Sequence, residues 1–142
     1  MTPRTPDVSL RDVFLLAAEG VPGEDGRAEV VAEALGYLQQ GFDSHYAVEA
    51  EAGGATDEAI LVGDDSYAQA VETIARLDEP RFVAVAGRMI RDGAGQIATG
   101  GKVSIELWTP HLAGLLDVIS GESLESCESR IKEAAERVGG RD

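Results

Sequence analysis

An all-α bundle of about six helices, forming a single helical domain over residues 1–142, is the fold class this sequence predicts. Three observations lead there. Apolar residues recur every three or four positions through most of the chain. Residues that cap or break helices, such as Ser9, Pro22, Pro80, Gly121 and Gly139, fall between the periodic runs. A chain of 142 residues can bury one sizeable core but not two.

The first helix is expected over 9–19, with Ser9 as cap, Leu10, Val13, Phe14 and Ala17 on one face, and Gly20 and Pro22 as its stop. An acidic loop over 21–26 leads to a second helix from Arg27 to about Gln40, whose Val31, Ala34, Leu35 and Leu38 share a stripe. Residues 41–57 admit two readings. The second helix runs on as far as Glu51 before the Gly53-Gly54 break, or Gly41 ends it and a loop follows.

The pattern is helical again over 57–77, with Ile60, Tyr67, Val71 and Ile74 on one face and Asp64 on the same stripe. A carboxylate there requires donors or a charged partner, because burying it bare is costly. Asp78-Glu79-Pro80 opens the next element, with Pro80 suited to a first helical turn. Phe82, Ala86, Met89, Gly93 and Ile97 then repeat at helical spacing. A competing α+β reading pairs 81–87 and 102–108, which alternate like strands, as a hairpin within 81–108. The helical reading is preferred because one pattern then covers the whole stretch. Thr109-Pro110 reads as an N-cap followed by proline at the first position of a helix that continues over 111–119 to Gly121. A last amphipathic helix over 124–138 carries Leu124, Cys127, Ile131, Ala134 and Val138 on one stripe.

The formal charge of −14 argues against binding nucleic-acid phosphates or an anionic membrane surface. It favours basic or apolar partner surfaces. Ten arginines stand beside only Lys102 and Lys132, a bias from which no function is drawn. The single Cys127 excludes an intramolecular disulfide and any Cys-cluster metal site. The first ten residues carry no apolar signal core, and no apolar run approaches the ~18 residues of a membrane span. A cytoplasmic location and no integral membrane segment are the corresponding expectations.

Residues 59–96 hold the most informative pattern. Ala59-Ile60-Leu61-Val62-Gly63-Asp64 is followed by Tyr67, Ala68 and Ala70, then by a short turn and a helix ending at Gly95-Gln96. In run, spacing and closing pair this resembles the middle of the trans-polyprenyl diphosphate synthases, members of the isoprenoid synthase family. Val103-Ser104-Ile105-Glu106 resembles the start of the next family helix, so that the likeness extends over roughly 27–119. Gly63, Asp64, Gly95 and Gln96 are thus the family-like positions.

The departures from the family are equally pointed. Its first aspartate-rich motif clusters carboxylates that hold Mg²⁺ against the allylic diphosphate. The corresponding place here reads Gly41-Phe42-Asp43-Ser44-His45-Tyr46, with one carboxylate. The only Asp-Asp pair, Asp64-Asp65, lies in the later Gly-Asp helix. The family's phosphate-binding Lys-Thr pair has no counterpart near 110–113, and its second aspartate-rich motif is not present. The resemblance therefore implies a non-catalytic small subunit of a heteromeric synthase. Mg²⁺ and the chemistry would belong to the catalytic partner, with no catalytic residue, metal or cofactor on this chain. Ile60, Tyr67, Val71, Ile74, Phe82 and Met89 would form the interface or border the cavity for the growing hydrocarbon, influencing product length. The alternative is an unrelated small acidic helical module that binds a ligand or associates with copies of itself.

Other features carry plainer readings. Asp43 and His45 are a weak metal signal, better read as a solvated helix end. His111 has no Ser or Cys beside it to suggest a triad. The glycine-rich 93–101 lacks the lysine and hydroxyl ending of a phosphate loop. Trp108 and Cys127 read as packing residues, and the acidic 122–136 as a solvated helix face.

Overall fold

The computed structural model describes residues 8–50, 57–100 and 104–139. It contains six helices: α1 (Leu10–Ala18), α2 (Arg27–Ala50), α3 (Asp57–Ala75), α4 (Pro80–Ala98), α5 (Ile105–Ser120) and α6 (Leu124–Gly139). Among the described residues there is no strand, so the bundle reading holds and the hairpin within 81–108 does not. Residues 102–103, part of that hairpin's second arm, lie outside the described residues.

Helix α2 is the axis of the assembly. It packs against α1, α3, α4 and α5, most extensively against α3, while α6 closes the remaining side against α5 and α1. The core follows from the periodicity of each helix. Phe14 from α1, Leu35, Leu38 and Phe42 from α2, Ile74 from α3, Phe82 and Met89 from α4, and Trp108, Leu112, Leu115 and Leu116 from α5 are all buried. Cys127, Ile131 and Ala134 supply the α6 face, whereas Leu124, expected on the same stripe, is exposed. At the first turn the helix has not yet reached the bundle.

Local chemistry sets the ends. Ser9 caps α1, its hydroxyl accepting from the Asp12 backbone N–H at 3.2 Å. The first-turn N–H of the fully buried Leu10 needs a partner of its own. Gln39 of α2 provides it: its Oε1 accepts from Leu10 at 2.8 Å while its Nε2 donates to the Val8 carbonyl at 2.9 Å. A single buried amide thus seats α1 on α2. The turn from α3 to α4 uses Asp78 at φ 53°, a left-handed conformation that costs a non-glycine residue energy. Glu79 then caps α4 and Pro80 opens it. The Arg81 guanidinium beside Glu79, at 2.7 Å, holds the Glu79 carboxyl below its ordinary value.

Three expectations change. Of the two readings of 41–57, the continuous helix is the one found, since α2 runs through Gly41 to Ala50; the Gly53-Gly54 break lies outside the described residues. Phe42 is wholly buried, and packing of this kind offsets the ~1 kcal/mol that an interior glycine costs a helix. His45 therefore lies within α2 and not at a solvated end.

The second correction concerns Thr109-Pro110. Helix α5 begins at Ile105 with Ser104 as N-cap, and Pro110 lies inside it. Thr109 does not cap; its hydroxyl donates to the Ile105 carbonyl at 2.8 Å, and the residue is buried. Extending the helix upstream places Trp108 in the core, a burial worth more than the hydrogen bond that proline forfeits. The third concerns Asp64. It sits at the rim of its stripe with the side chain 61% exposed, paired to His45.

No described helix is long and apolar enough to cross a membrane. Most of the acidic side chains of this −14 chain lie on its surface. Their mutual repulsion opposes the compact state and is screened as the Debye length shortens from about 30 Å to about 8 Å between 0.01 and 0.15 M salt. The midpoint of thermal unfolding is expected to rise across that range at pH 7, and a midpoint indifferent to salt would show that the surface charges do not limit stability.

Candidate functional site

Where α2, α3, α4 and α5 meet, five rings follow one another in a column, two of the contacts stacked and two tilted. The rings of His45 and Tyr67 lie nearly parallel with centroids 5.2 Å apart, and Tyr67 meets Phe42 at 5.4 Å. Phe42 stacks on Trp108 at 4.7 Å and 15°, and Trp108 reaches His111 at 6.2 Å. Each end is closed by a histidine–aspartate hydrogen bond. His45 Nε2 donates to Asp64 Oδ1 at 3.2 Å, bridging α2 and α3. His111 Nε2 donates to Asp92 Oδ2 at 2.9 Å, bridging α5 and α4.

The column exists because three helices are bare where it passes. A Cβ on Gly63 would come within 2.7 Å of the His45 ring, and one on Gly93 within 2.5 Å of Phe42 and 2.7 Å of Trp108. A Cβ on Gly41 would run into the Tyr67 ring and lie 3.1 Å from the Gly63 carbonyl oxygen. Helices α2 and α3 therefore cross glycine to glycine. The Gly63-Asp64 step has two distinct jobs here: Gly63 sets the closeness of that crossing, and Asp64 fastens its edge to His45.

Two polar atoms of the column, Tyr67 Oη and Trp108 Nε1, are buried with no hydrogen-bond partner among the described residues. Burial is the main reason the Tyr67 phenol is held above its ordinary pKa, and the nearby Asp64 carboxylate adds to it. Both atoms sit on rings packed against Phe42, Trp108 stacked and Tyr67 tilted, and that packing offsets the cost of the unpaired ends.

The remaining sequence-derived positions scatter. Gly95 and Gln96 lie exposed near the end of α4, where the Gly95 carbonyl accepts from the Thr99 N–H at 3.2 Å and the Gln96 carbonyl from the Thr99 hydroxyl at 3.0 Å. They form a helix end, apart from the column. Ile74, Phe82 and Met89 are buried within this chain's own core, while Val71 and Tyr67 are half-buried. Ile60 lies in α3 with its side chain outside the described residues. Gly93 belongs to α4 rather than to a loop. Sequence reading missed Phe42, Asp92 and Gln39, and it left His111 without a partner. The equal separation of His45 from Asp64 and of Asp92 from His111, 19 residues each, was the available signal.

Chemically, the site has two histidine–carboxylate pairs. Among the described residues no three His, Cys, Asp or Glu side chains converge to hold a metal ion. Comparison of the chain with protein-family models, with curated proteins and with solved structures finds no match.

The glycines give a graded test. Gly93→Ala is expected to destabilise the fold by about 1–3 kcal/mol through overpacking against Phe42 and Trp108, whereas Gly95→Ala, with open space around it, should stabilise α4 by up to ~1 kcal/mol. Within the Gly-Asp step, Gly63→Ala should cost more than Asp64→Ala, whose partly exposed pair is worth about 0–1 kcal/mol. Denaturant midpoints of the four variants read this ranking directly, and equal effects of Gly93→Ala and Gly95→Ala would contradict the column.

Tyr67 sets a pH dependence. Its folded-state pKa is raised, so the stability it confers is complete below the unfolded value of about 10 and is lost as pH climbs toward the folded one. Tyr67→Phe should be neutral or stabilising at pH 7, because the hydroxyl has no partner among the described residues, and should flatten the alkaline loss of stability. Unfolding free energies between pH 8 and pH 11 measure both, and parallel wild-type and variant profiles would rule the effect out.

Proposed function

We propose that this chain is a non-catalytic partner subunit of a heteromeric trans-polyprenyl diphosphate synthase, one that forms wall and interface while the catalytic subunit holds Mg²⁺ and substrates. The observation that carries this reading is the α3–α4 pair, two helices of 19 residues each, the first bearing Gly63-Asp64 and the second closing on Gly95-Gln96. The order and spacing follow the pattern of the family's middle helices, within an all-helical fold.

The packing narrows what such a subunit does. Among the described residues the Tyr67, Phe42 and Trp108 rings are packed against one another between α2, α3, α4 and α5, which makes the inside of this bundle a poor place for a prenyl chain. Influence on product length would then come from the outer surfaces of α3 and α4, where Val71, Val83 and Ile90 are only partly buried. Ile74, Phe82 and Met89, buried as they are, would hold those surfaces in shape from behind.

A second reading, a self-contained acidic helical module that binds a ligand or self-associates, is favoured by that same burial. Among the described residues Leu124 is the sole large apolar side chain left exposed.

Co-expression with full-length synthase subunits, followed by elongation of an allylic diphosphate with isopentenyl diphosphate, separates the two. A stable complex with a shifted product-length distribution is expected. Absence of a complex, together with product lengths unchanged by mixing, would remove the partner-subunit reading and leave the self-contained module.

A further inference from the structure

Helices α5 and α6 diverge to leave an open groove of about 560 Å³, apart from the aromatic column. Ile105, Pro110 and Ala135 give it apolar walls, and Glu106, Glu128, Glu136 and Lys132 stand around them. Three carboxylates against one ammonium leave these groups net negative. Among the described residues none of the four makes an ion pair, although Arg130, on the same helix, is already engaged with Glu122 at 3.1 Å. Pro110 adds a further acceptor. It has no N–H, so the Glu106 carbonyl one turn earlier lacks its helical donor.

Apolar walls with unengaged acceptors around them are complementary to a helix that carries leucine-like side chains on one face and Lys or Arg beside them. A second copy of this chain is a poor occupant, since it brings another net charge of −14. An anionic lipid surface is opposed for the same reason.

We propose that the α5–α6 groove is the docking site for a basic amphipathic helix, contributed, on the partner-subunit reading above, by the catalytic subunit. The carboxylates receive its cations, and Ile105, Pro110 and Ala135 receive its apolar face. Lys132, between Glu128 and Glu136 on α6, disfavours a helix whose charges fall opposite it and so contributes register.

The probe is a synthetic leucine–lysine amphipathic helix of about 18 residues, or five turns, titrated into the full chain and followed by amide chemical shifts. Shifts are expected to concentrate at Ile105, Thr109 and Ala135. Glu106→Gln, Glu128→Gln and Glu136→Gln combined should weaken binding about tenfold or more. Glu29→Gln, Glu33→Gln and Glu72→Gln combined, which change net charge equally on exposed positions of α2 and α3, should weaken it far less. Ala135→Trp, which fills the groove without altering charge, should also weaken binding, with thermal unfolding of each variant as the folding control. Equal loss from the two triple substitutions would reduce the interaction to net charge and overturn the proposal, as would shifts spread evenly over the surface. Groove-selective peptide binding without capture of any synthase subunit would uphold the docking site and remove the partner-subunit reading. Capture of a synthase subunit that survives the groove substitutions would do the reverse.

Discussion

The stack of Phe42 on Trp108 is the contact on which the rest of the bundle depends. It joins α2 to α5 through the interior, and it requires Gly93 of α4 to be bare at the point where the two rings pass. Tyr67 meets Phe42 at a tilt and so carries the contact onto α3, and the bare backbones of Gly41 and Gly63 let that helix come close enough to be reached. One contact thus fixes the mutual approach of four helices. The histidine–aspartate pairs at its two ends are consequences: each ring arrives at the surface of the column where a neighbouring helix offers a carboxylate. Pairs so placed add orientation more than energy, because water still reaches them.

This arrangement gives the Gly63-Asp64 step a physical meaning independent of any ancestry. A glycine followed by an aspartate on a helix reads as a metal or phosphate signal when other carboxylates stand nearby. Here the glycine is a crossing point and the aspartate a latch on His45. A chain that kept the helices of a prenyl-transferring scaffold without its diphosphate chemistry would retain such steps for packing alone.

Much of this was legible beforehand, and what was not has identifiable causes. The every-third-or-fourth recurrence of Phe82, Ala86, Met89, Gly93 and Ile97 located a buried face correctly, because a helix that buries one side must repeat at its own pitch. Ser9 and Pro80 marked real helix starts for local reasons that no tertiary contact overrides. Thr109-Pro110 misled because its local chemistry is that of a helix start, yet burying Trp108 outweighs one forfeited hydrogen bond. The partners of His45 and His111 were invisible because each lies on another helix, and only the crossing geometry decides which carboxylate is opposite.

The sequence by itself favoured an all-α bundle of six helices over a hairpin within 81–108, and marked most of each apolar face and a strongly acidic surface. These follow from periodicity, capping and composition, which act within a few residues of one another. Only the tertiary structure decided that α2 runs on past Gly41, that three glycines open a passage for five rings, and that Asp64 and Asp92 face histidines. It also decided that a groove opens between α5 and α6. Those outcomes depend on how closely helices can approach, and that distance is set by pairs of residues far apart in the chain meeting face to face.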